Sequence, residues 1–314
     1  MTRVLAVANQ KGGVAKTTTV ASLGAAMVEL GKRVLLVDLD PQGCLTFSLG
    51  QDPDKLTVSV HEVLLGDVEP DVALVETSEG MTLMPANIDL AGAEAMLLMR
   101  AGREYALKRA LAKVAGAAPA ATSGKGAAPA ATSGKRAAPA AKSGTRAARA
   151  AKSGTGAAPV ATSDTGNFDV VIIDCPPSLG VLTLNGLTAA QEVIIPLQCE
   201  TLAHRGVGQF LRTITDVQQI TNPDLALLGA LPTLYDSRTT HSRDVLLDVA
   251  DRYSLPVLAP PIPRTVRFAE ASASGSSVLA GRKNKGAMAY RELAGALLKH
   301  WKSGKALATF APKV

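Results

Sequence analysis

Val4 to Val28 constrains this chain more than any other stretch. It opens with Val4-Leu5-Ala6-Val7-Ala8, a short apolar run of the kind that forms a strand buried on both faces. Asn9-Gln10-Lys11-Gly12-Gly13-Val14-Ala15-Lys16-Thr17-Thr18 follows, and then an Ala/Val/Leu-rich segment long enough for a helix. A strand, a glycine-containing loop and a helix opened by Lys-Thr form an arrangement that holds phosphate. Backbone N–H groups from Gly12 to Thr18 point at the anion, and the positive end of the helix dipole adds to the attraction. Lys16 then supplies a mobile positive charge to the outer phosphates, and the Thr17 hydroxyl a ligand for Mg²⁺.

The common Gly-x-x-x-x-Gly-Lys-Thr pattern is not met, because Gln10 and Ala15 stand where it needs glycines. The chain has Lys-Gly-Gly-x-x-Lys-Thr instead, with an extra lysine, Lys11, at the start of the loop. This resembles the deviant Walker A motif of the ParA/MinD group of ATPases. That group usually has Gly before the second lysine, so Ala15 is a departure, and the smallest one available.

Further along, Lys32-Arg33-Val34-Leu35-Leu36-Val37 reads as a second buried strand ending in Asp38-Leu39-Asp40-Pro41. Two carboxylates there belong at the ligand-binding edge of a parallel sheet. By the resemblance, Asp40 positions or activates the attacking water, and Asp38 supports the loop and metal region. Val170-Val171-Ile172-Ile173-Asp174, followed by Cys175-Pro176-Pro177-Ser178, puts another acid at a strand end. This is the Walker B position, and Asp174 is expected to hold Mg²⁺. The Ile262-Pro263-Arg264-Thr265-Val266-Arg267 run resembles the family segment that walls the adenine, which assigns Pro263 and Thr265 to base recognition. Family members bind DNA through basic residues near this loop and the last helices, so the candidates are Arg238, Arg264, Arg267, Arg282, Lys283 and Lys285.

Between these motifs, Met81 to Pro85 reads as a strand, and the PANIDLAGAEAML segment enters a helix running to about Val114. Met96 and Met99 are expected in the core, and His61 on the surface or at a helix cap. A final helix from about Met288 to Trp301 carries Leu293, Leu297, Leu298 and Trp301 at helical spacing. Packing against the sheet is expected of it, with a membrane-targeting face the alternative.

Residues 116–165 are five decads of the type GAAPAATSGK, with scarcely any side chain larger than Val to bury. Such a segment cannot offset its ordering entropy and is expected to be disordered. It carries Lys125, Lys135, Arg136, Lys142, Arg146, Arg149 and Lys152 against one acid, Asp164, which accounts for the whole net charge of +6. It is either a tether that adds phosphate contacts to DNA or an inert expansion in a permissive loop. Cys44, Cys175 and Cys199 show no metal-ligand spacing and read as small residues in a reducing compartment. With no signal peptide and no membrane-length apolar run, the expected location is cytoplasmic and nucleoid-associated.

These features together imply a P-loop NTPase-like α/β fold, with a mostly parallel sheet between helical layers. One domain is expected, built from residues 1–115 and 166–314. The resemblance implies a ParA/Soj-like ATPase of chromosome or plasmid partitioning that uses ATP and Mg²⁺. It implies a homodimer formed around ATP, with Lys11 of each subunit reaching the phosphates of the other. It also implies nonspecific binding to double-stranded DNA, a ParB-like partner that stimulates hydrolysis, and no stable membrane association. The alternatives are a MinD-like positioning ATPase acting on a membrane or protein scaffold, and a metabolic synthetase of the same superfamily.

Overall fold

A computed structural model of the chain describes residues 2–114, 168–200, 203–281 and 283–310. The decad repeat and Arg282 lie outside the described residues. The strands are β1 (Arg3–Val7), β2 (Val34–Asp38), β3 (Val75–Glu76), β4 (Thr82–Met84), β5 (Val170–Asp174), β6 (Glu192–Gln198) and β7 (Ala226–Thr233). Around them lie α1 (Lys16–Glu29), α2 (Cys44–Ser48), α3 (Val60–Leu65), α4 (Leu90–Leu98), α5 (Ala106–Val114) and α6 (Val181–Ala189). The chain continues through α7 (Ala203–Ile220), α8 (Thr240–Tyr253), α9 (Arg267–Ala273) and α10 (Lys285–Ser303).

The strands form one sheet in the order β3-β4-β2-β5-β1-β6-β7, parallel throughout except for the β3–β4 edge. The central strands are apolar at every position because both faces are covered. Leu35, Val37, Val171 and Ile173 face one core with α3 to α8, while Leu5, Val7, Leu36 and Ile172 face the other with α1 and α10. At Gly24, α1 approaches β2 so closely that an added Cβ would lie 2.8 Å from Leu36 Cδ2. On the outer side of α1, Tyr290 of α10 meets Thr19 hydroxyl to hydroxyl at 3.0 Å. Leu293 and Leu297 are fully buried in the same contact, each contributing about 2 kcal/mol. The apolar side of the final helix is thus spent on packing, and the helix begins three residues earlier than the sequence implied. Asn284 sets that start by accepting the Ala287 N–H at 2.9 Å.

Two sequence expectations fail between residues 90 and 114. The single helix is split, because Gly102 adopts a left-handed φ of +64° ahead of a short 3₁₀ turn at Arg103–Tyr105. Met96 and Met99 are not core residues, being 50% and 89% exposed. α4 packs through Leu90, Ala93 and Leu97, one helical face, and the methionines fall outside it. His61 sits in the first turn of α3, half-buried, where its backbone N–H donates to the Ser59 cap at 3.1 Å.

Candidate nucleotide site

Strand register builds the site. Val7 of β1 and Asp38 of β2 both align with Asp174 of β5, so three strand ends share one row at the carboxyl edge of the sheet. The loop after β1 is tied down on both sides. Asn9 Nδ2 donates to the Pro196 carbonyl at 2.7 Å, and Thr233 Oγ1 at the end of β7 donates to the Val14 carbonyl at 2.9 Å. Asn9 Oδ1 in turn accepts the Lys11 N–H at 3.0 Å. Gly12 and Gly13 are exposed at the crest.

Ala15 has φ 63° and ψ 35°, a left-handed conformation immediately before α1. The position explains why related loops use glycine there: an L-residue pays about 1–2 kcal/mol for that backbone. Ala15 adopts it regardless, with its carbonyl accepting both the N–H and the hydroxyl of Thr19 at 3.0 and 2.8 Å.

Lys16 folds back over the loop, its Nζ donating to the Lys11 carbonyl at 3.0 Å. Burial pushes this ammonium below the usual lysine value, with Asp174 and Asp40 opposing. The Thr17 hydroxyl donates to Asp174 Oδ2 at 2.7 Å, while Asp174 Oδ1 is buried without a hydrogen-bond partner. Burial pushes the Asp174 carboxyl well above its usual range, and repulsion from Asp38 adds to the shift. Asp38, also raised to about 6 by burial, accepts the Asp40 N–H, the Thr46 N–H and the Thr46 hydroxyl at 3.0, 2.9 and 2.8 Å. It therefore shapes the loop that carries Asp40. A hydroxyl and an orphaned carboxylate oxygen, set among three acids, fit a hard divalent cation with oxygen ligands such as Mg²⁺. Thr17 and Asp174 are the residues that would hold it.

Pro263 and Thr265 lie in the loop before α9, held beside the end of β7. Tyr235 N–H donates to the Ile262 carbonyl at 2.9 Å, and Arg264 N–H to the Tyr235 carbonyl at 3.2 Å. Between Thr233 and Tyr235, Leu234 has φ +50°, a second left-handed non-glycine at this edge. The backbone is held there by hydrogen bonds on both sides. Thr18 sits at the base of the phosphate loop, half-buried.

Among the described residues, several basic candidates lie around the start of α10. Lys285 shares a cleft of about 400 Å³ with Ser237 and Pro263, the neighbours of Arg238 and Arg264. Arg267 shares an adjacent recess with Asn284, between Lys283 and Lys285. Two are neutralised locally: Arg238 grips Asp236 through two bonds of 3.0 Å, and Arg267 pairs with Glu270 at 2.7 Å.

Residues 2–117 and 162–227 match the family model of an AAA domain, and the unmatched stretch between them lies within the decad repeat. Sporulation initiation inhibitor protein Soj of Bacillus subtilis is 37% identical over 94% of this chain and 97% of its own length. The chain belongs to the ParA/Soj family. Chromosome partitioning protein ParA of Caulobacter vibrioides is also 37% identical, over 93% of this chain and 92% of its own. A crystal structure described as cobyrinic acid a,c-diamide synthase from Mycobacterium smegmatis, with bound ATP analogue and magnesium, is 68% identical. It superposes with a TM-score of 0.76, covering 99% of this chain and all of that one.

Sequence reasoning missed Glu200, Thr233, Leu234 and Thr46 at this edge. Lys11, expected from the resemblance to reach a partner subunit in an ATP dimer, pairs in the single chain with Glu200 at 2.5 Å. No local pattern joins residues 189 positions apart.

Proposed function

We propose that this ParA/Soj-family chain is an ATP-dependent DNA-partitioning ATPase. The observation that carries the proposal is the phosphate loop. Lys16 lies across it, Thr17 is bonded to Asp174, and a second lysine, Lys11, stands at its mouth. Backbone N–H groups and Lys16 hold the phosphates, and Pro263 and Thr265 wall the adenine. Mg²⁺, when bound at Thr17 and Asp174, neutralises charge on the outer phosphates. Asp40 stands on the loop next to that position and orients the attacking water. Phosphoryl transfer depends chiefly on such positioning and charge stabilisation. Two subunits close face to face on ATP, and Lys11 of each stabilises the phosphates held by the other.

The dimer binds double-stranded DNA nonspecifically, through Lys283, Lys285 and Arg264 with the positive end of α10 behind them. A ParB-like partner stimulates hydrolysis, and the monomers release DNA. Association with the nucleoid follows from that cycle. No helix among the described residues is long and apolar enough to cross a membrane. Leu293 and Leu297 face inward, which weighs against a MinD-like membrane face on α10.

Amide formation, in the sense of the Mycobacterium smegmatis description, is the second reading, since activating a carboxylate with ATP uses the same phosphate loop. Glutamine-dependent transfer needs a thiolate nucleophile. Burial pushes the Cys175 and Cys199 thiols upward, Cys199 to about 12, and burial with nearby acids raises Cys44 as well. All three cysteines of the chain are thus held as thiols. The two readings separate in one assay of ATP turnover by the purified chain. Stimulation by DNA with a ParB-like protein supports partitioning. Stimulation by cobyrinic acid with glutamine or ammonia, and none by DNA, overturns it.

A further inference from the structure

The extra lysine is already occupied in the isolated chain. Lys11 Nζ lies 2.5 Å from Glu200 Oε2, and Gln198 Nε2 donates to Glu200 Oε1 at 2.5 Å. Glu200 stands just past β6, bonded to Lys11 of the phosphate loop and within electrostatic reach of Arg264 in the base-recognition loop. A nucleotide that bridges the gap between these two loops therefore brings its phosphates close to this carboxylate. Lys11 is 34% exposed and Glu200 52%, so another anion can reach the ammonium and compete for it.

We infer that Glu200 is a positioning residue that holds Lys11 in its own subunit until the phosphates of a nucleotide displace it. The inference rests on the face-to-face dimer proposed above and supplies its regulation. A terminal phosphate carries more charge than a carboxylate and makes stronger hydrogen bonds to an ammonium. When it enters the gap, it repels Glu200 and outcompetes it for a lysine. The lysine that leaves Glu200 is then available to the opposing subunit. Without nucleotide, the same carboxylate satisfies Lys11 and opposes pairing of empty subunits.

An exposed pair of this kind shifts an equilibrium by roughly two- to five-fold. Two lysines are released per dimer, so removing both holdbacks should tighten dimerisation by roughly four- to twenty-five-fold. The test is sedimentation velocity of the full chain with Mg²⁺ and a non-hydrolysable ATP analogue, comparing wild type with Glu200→Gln. Amine-directed labelling of Lys11 in the nucleotide-free monomer runs in parallel, since it reads the pair without reference to dimers.

Tighter dimerisation of Glu200→Gln, faster labelling of its Lys11, and no gain in a Lys11→Gln/Glu200→Gln double variant are expected. A merely structural glutamate would not produce a gain that vanishes with Lys11. A wild type that dimerises while Glu200→Gln matches it in both readouts overturns the holdback and leaves the dimer standing. A wild type that stays monomeric with the analogue overturns the face-to-face dimer itself, and the holdback falls with it.

Discussion

Replacing Ala15 with glycine should stabilise the nucleotide-free chain, although glycine in a helix interior ordinarily does the opposite. Ala15 is at φ 63° and ψ 35°, where its Cβ costs about 1–2 kcal/mol relative to a right-handed backbone. Glycine removes that cost but gives the unfolded chain more freedom, which offsets about 0.4–1 kcal/mol. The net gain expected is about 0.5–1 kcal/mol, a rise in Tm of roughly 1–4 °C for a domain of this size. Urea unfolding of both proteins measures it, with an unchanged slope as the control for two-state comparison. Nucleotide affinity should stay within about threefold, because Ala15 already presents the backbone in the left-handed form and the helix N–H groups are already aimed. The sign is decisive. A loss of about 1 kcal/mol, the usual cost of glycine in a helix, would show that Ala15 is right-handed and refute the reasoning.

Burial holds the Asp38 carboxyl near 6 and that of Asp174 well above its usual range, so their ionised forms are disfavoured in the folded chain. Stability from their protonation is fully present below the unfolded carboxylate value and is lost as pH rises through the folded one. The nucleotide-free chain should therefore lose Tm as pH rises from about 4 through 6, with Asp174 adding to the loss, and Asp174→Asn should flatten the slope while abolishing Mg²⁺-dependent nucleotide binding. A steeper slope in the variant would contradict this. Lys16→Ala should abolish binding of a fluorescent ATP analogue with little change in far-UV circular dichroism; binding within tenfold of wild type would place the phosphates elsewhere. Lys283→Glu with Lys285→Glu should weaken DNA binding for all sequences and reduce the salt slope by about two. An unchanged slope would move the DNA face away from α10.

The parallel core of this fold was legible because its strands are buried on both faces. Val4 to Ala8, Val34 to Val37 and Val170 to Ile173 can be read as strands without a partner in sight, and each ends in chemistry. The phosphate loop, Asp38, Asp40 and Asp174 have fixed local spacing, so the sequence alone places them on one sheet edge. What stayed hidden depends on pairings between distant segments or on backbone conformation. Glu200 meets Lys11, Thr233 meets Val14 and Thr46 meets Asp38 only once the strands are in register. α4 misled for a different reason. Its composition is apolar nearly all round, so nothing in the sequence separates the buried Leu97 from the exposed Met96. The break at Gly102 was visible as a glycine but not as a left-handed one.

The most direct test of the proposed function is DNA binding by the purified chain with ADP and with a non-hydrolysable ATP analogue. It should run alongside a variant lacking residues 116–165, which carry the whole net positive charge. Binding that requires the analogue and survives the deletion is expected, because the nucleotide assembles the DNA face from the ATPase domain itself. Binding that ignores the nucleotide and disappears with the repeat would contradict partitioning by the ATP dimer.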